Sequence, residues 1–188
     1  MTKRSARPPL AWVLRELSKQ HGDVSPPPTR DPFELVLWEQ VAYLADDDQR
    51  AAAFALLKKR TRLRPERILA EPEESLLEIA RLGGAVAVSE RAGRLRASAQ
   101  LLLDLGGDAA ALAKAPFAQA RRTFQKFASI GAPGAMKVLL LARAHASLPL
   151  ESNGVRVLTR LGFAREEKSY DATYRALQAA LEAEMPKS

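Results

Sequence analysis

The chain has no cysteine. That excludes a disulfide framework, a thiolate zinc site, a cysteine-held iron–sulfur cluster and cysteine catalysis. Its two histidines, His21 and His145, are too few for a histidine-rich metal site. No metal is therefore expected on side chains, and no cofactor is expected. Nowhere does an apolar run approach the roughly 20 residues that a membrane-spanning helix needs, so no membrane partner is expected. No segment of useful length alternates apolar and polar residues as a half-buried strand would. The basic start, Lys3, Arg4 and Arg7, runs into prolines instead of an apolar stretch. It reads as no secretory signal, and the expected location is the cytoplasm.

What is present is a 188-residue chain, 47% apolar and 27% charged, with the composition of a soluble globular protein. Helical periodicity recurs nearly everywhere, so the expected fold class is all-α. Helices are predicted near 9–20, 31–45, 49–60, 73–82, 89–105, 116–127, 133–146, 152–161 and 169–184. Gly22 closes the first, Asp31 followed by Pro32 opens the second, and Ser169 caps the last. Residues 25–29, Ser-Pro-Pro-Pro-Thr, read as a stiff linker. The stripe Tyr170, Tyr174, Leu177 and Leu181 reads as core. A formal charge of +7 favours a polyanionic partner, and its distribution sharpens the point. Between Ala109 and Leu150 there is no Asp or Glu, while Lys114, Arg121, Arg122, Lys126, Lys137 and Arg143 are present. The alternative is a basic solvated face with no partner.

Inside that acid-free stretch lies Phe127-Ala128-Ser129-Ile130-Gly131-Ala132-Pro133-Gly134-Ala135-Met136-Lys137 between two predicted helices. Small residues permit a sharp turn, and the helix that follows leaves amide donors pointing outward, where a phosphate can be received. The segment resembles the helix–hairpin–helix of the endonuclease III-like DNA glycosylase superfamily, which reads roughly L-P-G-V-G, two residues, then T-A. Further on, residues 150–162 (Leu-Glu-Ser-Asn-Gly-Val-Arg-Val-Leu-Thr-Arg-Leu-Gly) are similar to its V-D-T-H/N-V-x-R-V-x-x-R-L-G. Upstream, Asp31-Pro32-Phe33-Glu34-Leu35-Val36 resembles its P-F/Y-E-L-L opening. Residues 79–84 and 91–95 are similar to its I-x-x-x-G and K-A-x-x-L segments.

The resemblance implies a two-lobed helical glycosylase fold with a cleft between lobes. A central lobe, 31–146, would end in the hairpin, and 1–30 with 147–188 would form the second. It also implies a monovalent cation held by hairpin backbone near Gly131. Departures accompany the matches. The Schiff-base lysine position falls on Pro133 counting back from Glu151, or on Ala135 counting forward from Gly131, and neither is a nucleophile. The active-site aspartate corresponds to Glu151. The Gln that fills the gap left by an extruded base falls on Leu44, and the cysteine-cluster loop is missing.

Glu39 is the only charge in the apolar run Leu35–Ala45. A carboxyl in such surroundings should be shifted upward, toward the range of a general acid. The resemblance puts it where adenine-specific members hold the glutamate that protonates the departing base; the plainer reading is an ion pair or a backbone cap. Glu151, ahead of a helix, would steady a sugar cation or activate water, or be an ordinary first-turn acid. Lys137 among apolar neighbours is either a displaced Schiff-base nucleophile or a snorkelling surface lysine.

The reading is a monomeric, monofunctional base-excision-repair DNA glycosylase acting on double-stranded DNA. Glu39, Glu151 and Lys137 are the catalytic candidates. Ser129, Ile130, Gly131, Ala132 and Gly134, with Arg121, Arg122 and Lys126, would contact DNA. Tyr43, Leu44 and Val86 would wedge into the vacated stack. The alternatives are a DNA-binding module of the same fold with decayed catalysis, a bifunctional glycosylase and abasic-site lyase using Lys137, and a helical protein-interaction domain.

Overall fold

The computed structural model describes residues 7–184, so Lys3 and Arg4 of the basic start lie outside the described residues. Among the described residues there are eleven helices and no strand. They fall into two compact units, one from Pro27–Ser147 and one from the described parts of Met1–Pro26 and Leu148–Ser188.

The larger unit is arranged around α2 (Pro32–Gln40), which meets α3 (Asp47–Thr61), α6 (Val88–Asp104), α7 (Ala109–Lys114) and α9 (Ala132–Leu141). Asp31 opens α2 as the sequence indicates. Its carboxylate accepts from the amides of Phe33 at 2.9 Å and Glu34 at 3.0 Å, with Pro32 in the first turn. Phe33, Leu35, Val36 and Leu37 are all buried, each contributing on the order of 1.5–3 kcal/mol. The helix ends at Gln40, well short of the Ala45 expected from hydropathy. A tertiary contact ends it: the Tyr43 amide donates to the carbonyl of Gly83 at 3.1 Å, and Leu44 turns into the left-handed region at φ 49°. Gly83 is required there, since a Cβ on it would lie 1.9 Å from the Val41 carbonyl oxygen.

Asp46 and Gln49 then form a reciprocal capping box for α3. Two six-residue helices, α4 (Pro65–Ala70) and α7, were not expected from periodicity, and α5 (Glu73–Leu82) matches its predicted span. After α8 (Phe117–Phe124) a tight connection leads into α9, which stops at Leu141 short of the predicted Ala146.

The smaller unit contains α1 (Leu10–His21), α10 (Ser152–Arg160) and α11 (Tyr170–Glu182) around a core of Val13, Leu150, Val155, Phe163, Leu177 and Leu181. Gly22 closes α1 at φ 75°, and Ser169 Oγ caps α11 by accepting from the Ala172 amide at 3.2 Å. Of the tyrosine and leucine stripe, Leu177 and Leu181 are core and Tyr174 packs against it, whereas Tyr170 is exposed. No helix among the described residues is long and apolar enough to cross a membrane.

Candidate active site

The hairpin is built from a turn that puts strain on an unexpected residue. Ser129, not Gly131, occupies the left-handed region at φ 60°, while Gly131 is extended at φ −75°, ψ −177° as the N-cap of α9. Ser129 and Gly131 are exposed, whereas the Ile130 side chain is buried, so Ile130 offers an outside partner its backbone only. No side chain caps α9, and its first turn contains a proline. The amides of Ala132 and Gly134 therefore sit at a helix start that has no internal acceptor for them, where the macrodipole favours an anion. A Cβ at Gly131 would meet only Pro133 Cδ at 3.9 Å, and one at Gly134 would meet Ile130 Cγ2 at 3.4 Å. Packing within the protein thus does not demand glycine at Gly131.

The basic side chains near the hairpin are not equivalent. Arg122 and Lys126 are exposed and four residues apart, while Arg121 is half-buried with its guanidinium 5.9 Å from the Phe117 ring centroid. Arg121 Nε is buried without a hydrogen-bond partner. For a cation the hairpin offers backbone oxygens and the Ser129 hydroxyl; among the described residues no cluster of three acidic, histidine or cysteine side chains could hold a metal. The carbonyls of Phe127, Ala128 and Gly131 already accept from Ile130 N, Gln40 Nε2 and Ala135 N.

Two of the three catalytic candidates are brought together. Lys137, on α9, places Nζ 2.7 Å from Glu39 Oε2, on α2, with side-chain exposures of 27% and 22%. Glu39 is thus half-buried and ion-paired, and Lys137 reaches across to α2. Positions 133 and 137 are one turn apart on one helix face. The pair therefore lies one turn beyond Pro133. Glu151 belongs to the smaller unit, where it is the exposed N-cap residue of α10 without using its side chain to cap the helix.

The three wedge candidates are also neighbours, because the loop after α2 and the loop between α5 and α6 touch through Tyr43 and Gly83. Their exposures are 52% for Tyr43, 77% for Leu44 and 44% for Val86.

Sequence reasoning passed over two buried polar residues at this end of α2. Gln40 Nε2 donates to Ser98 Oγ at 2.8 Å and to the Ala128 carbonyl at 2.7 Å, which ties the hairpin to the helix that carries Glu39. Arg91 donates to the backbone carbonyls of Val41 and Gly84. The signal for both was a polar side chain on a helix face otherwise given to the core.

The all-helical fold is similar to that of endonuclease III as solved on DNA. Two solved structures it resembles are the estranged-adenine complex of a trapped endonuclease III–DNA covalent intermediate and a non-covalent endonuclease III–DNA complex. Each matches with a TM-score of 0.71 and 21% identity, covering 94% of this chain and 77% of the other. No protein-family model matches the chain, and no curated protein matches it in sequence.

Proposed function

We propose that the protein is a DNA N-glycosylase of base-excision repair that works without forming a Schiff base. The observation that carries this reading is the Glu39–Lys137 contact one helical turn past the hairpin, in a fold shared with proteins solved on DNA. Phosphates would be received by the amides of Ala132 and Gly134 and neutralised by Arg122, Lys126 and Arg121. A glycosidic bond cannot be reached inside the stack, so the nucleotide must be extruded, and Tyr43, Leu44 and Val86 are suited to fill the gap.

As the bond to C1′ breaks, its electron pair passes to the base nitrogen, which takes a proton from the acid form of Glu39, loaded from solvent; the carboxylate left behind is held by the Lys137 ammonium, which keeps its own proton. Water then adds to the sugar cation. Glu151 is the second acid we assign, on its correspondence in sequence, to steady that cation or to take the proton from water. Lys137 would have to give up both its carboxylate contact and a proton before it could attack carbon, which argues against lyase chemistry.

The test is incubation with duplexes bearing uracil, oxidised guanine opposite adenine, alkylated purines or adenine mispairs, with and without hot alkali. The expected result is strand breakage that requires alkali, is lost in Glu39→Gln, and leaves no borohydride-trapped adduct. An adduct that vanishes in Lys137→Ala would replace this reading by the lyase. A second reading, a DNA-binding module without catalysis, is favoured by Leu44 standing at the gap-filling position. It would prevail if every duplex were bound and none cut.

A further inference from the structure

Arg91 is only 1% exposed, and among the described residues no carboxylate answers its charge. Its charged neighbour is another cation, Arg94; burial first, and then Arg94, pull its pKa below the usual arginine value. Burying an unpaired charge is expensive, so it persists only where its hydrogen bonds are needed.

All three bonds go to backbone carbonyls of the two loops. Nη1 donates to Val41 at 2.7 Å, Nη2 to Gly84 at 2.5 Å and Nε to Val86 at 3.0 Å. A planar guanidinium can hold three acceptors in fixed directions, which an ammonium on a flexible stem cannot reproduce. Around this point the backbone is forced, with Leu44 at φ 49°, Gly84 at φ 114° and Ala87 at φ 52°. The loops are also in direct backbone contact at Gly83 and Val41. The staple is buried, and the side chains projecting just beyond it, Tyr43, Leu44 and Val86, are exposed and apolar.

We infer that Arg91 is a positioning residue that joins the two loops into one preformed wedge, so that Leu44 and Val86 enter a base stack together and without prior ordering. This rests on the proposed extrusion of a nucleotide. It adds that the ordering cost of the wedge is met when the protein folds, not when DNA binds.

The test needs no chemistry. A duplex carrying a stable abasic analogue opposite or beside 2-aminopurine reports unstacking by fluorescence. The wild-type protein should raise the signal, and Arg91→Lys should need about tenfold more protein for the same rise, as expected for lost charged hydrogen bonds. Its affinity for unmodified duplex should change by less than about twofold. In a Leu44→Ala, Val86→Ala background, Arg91→Lys should cause no further loss, because coupled residues are not additive.

A purely structural role would give the same loss in both backgrounds and overturn the inference, as would an Arg91→Lys protein indistinguishable from wild type. Should Arg91→Lys not fold, hydrogen exchange on the DNA-free wild type decides. The Tyr43 amide, bonded to Gly83, should be protected like the amides of α2, and exchange at an open-chain rate would overturn the preformed wedge. A wild-type protein that binds the abasic duplex without any fluorescence rise would instead remove the extrusion reading itself.

Discussion

Glu39 and Lys137 meet where neither is fully dry nor fully wet, and that decides the size of the effect expected from separating them. An exposed pair is worth roughly 0.2–1 kcal/mol, and orphaning one member of a buried pair costs about 3–5 kcal/mol. With about a quarter of each side chain exposed, Lys137→Met should destabilise the fold by about 1–2 kcal/mol in denaturant titration. The double variant with Glu39→Gln should cost less than the sum of the single changes. Strict additivity would mean that the contact contributes nothing. Glu39 itself was legible as a lone charge on an apolar helix. Its partner was not, because nothing local in α9 tells whether a lysine among leucines turns out to water or across to another helix. Gln40 and Arg91 escaped notice for the same reason: their partners are backbone carbonyls brought close only by folding.

Helix starts were readable because capping is local chemistry, settled within a few residues by Asp31 with Pro32, or by Ser169. The end of α2 was not, because its stop after Gln40 depends on the distant Gly83. The short α4 and α7 were missed because six residues give too little periodicity to detect. The hairpin shows the same division. Its place between two helices followed from its small residues, yet the left-handed conformation falls on Ser129 and not on the neighbouring glycine. Gly131 has an extended backbone and open space around its Cα. Gly131→Ala should therefore leave stability within about 1 kcal/mol, since the loss of a tolerable N-cap offsets the entropy gained from removing a glycine. If a phosphate approaches this backbone closely, the same methyl should weaken duplex binding by about tenfold or more, as expected when a close charged hydrogen bond is lost. Unchanged affinity in a titration at fixed salt would mean that the strand does not contact the hairpin at Gly131.

Each unit has its own apolar core, and the smaller one is thin, with six buried apolar residues serving α1, α10 and α11. A core of that size needs polar help, and Glu184 provides some: its carboxylate accepts from the Leu10 amide at 3.1 Å and pairs with Arg7. These contacts hold the Glu184 carboxyl below its usual range: the Leu10 hydrogen bond contributes most, desolvation opposes it, and the Arg7 contact adds to the lowering. A carboxyl whose pKa is lower in the folded state stabilises fully above its unfolded value, near 4.5. It loses that contribution as the pH falls through the folded value. Acidification from neutral pH to below that range should therefore loosen α1 before the larger unit. The two tryptophans allow this to be seen, because Trp12 lies on α1 and Trp38 on α2. In a Trp38→Phe protein the Trp12 emission should shift in acid, and Glu184→Gln should already show part of that shift at neutral pH and change less on acidification. An acid transition of Trp12 with the same midpoint and amplitude in Glu184→Gln would show that other carboxylates govern the smaller unit.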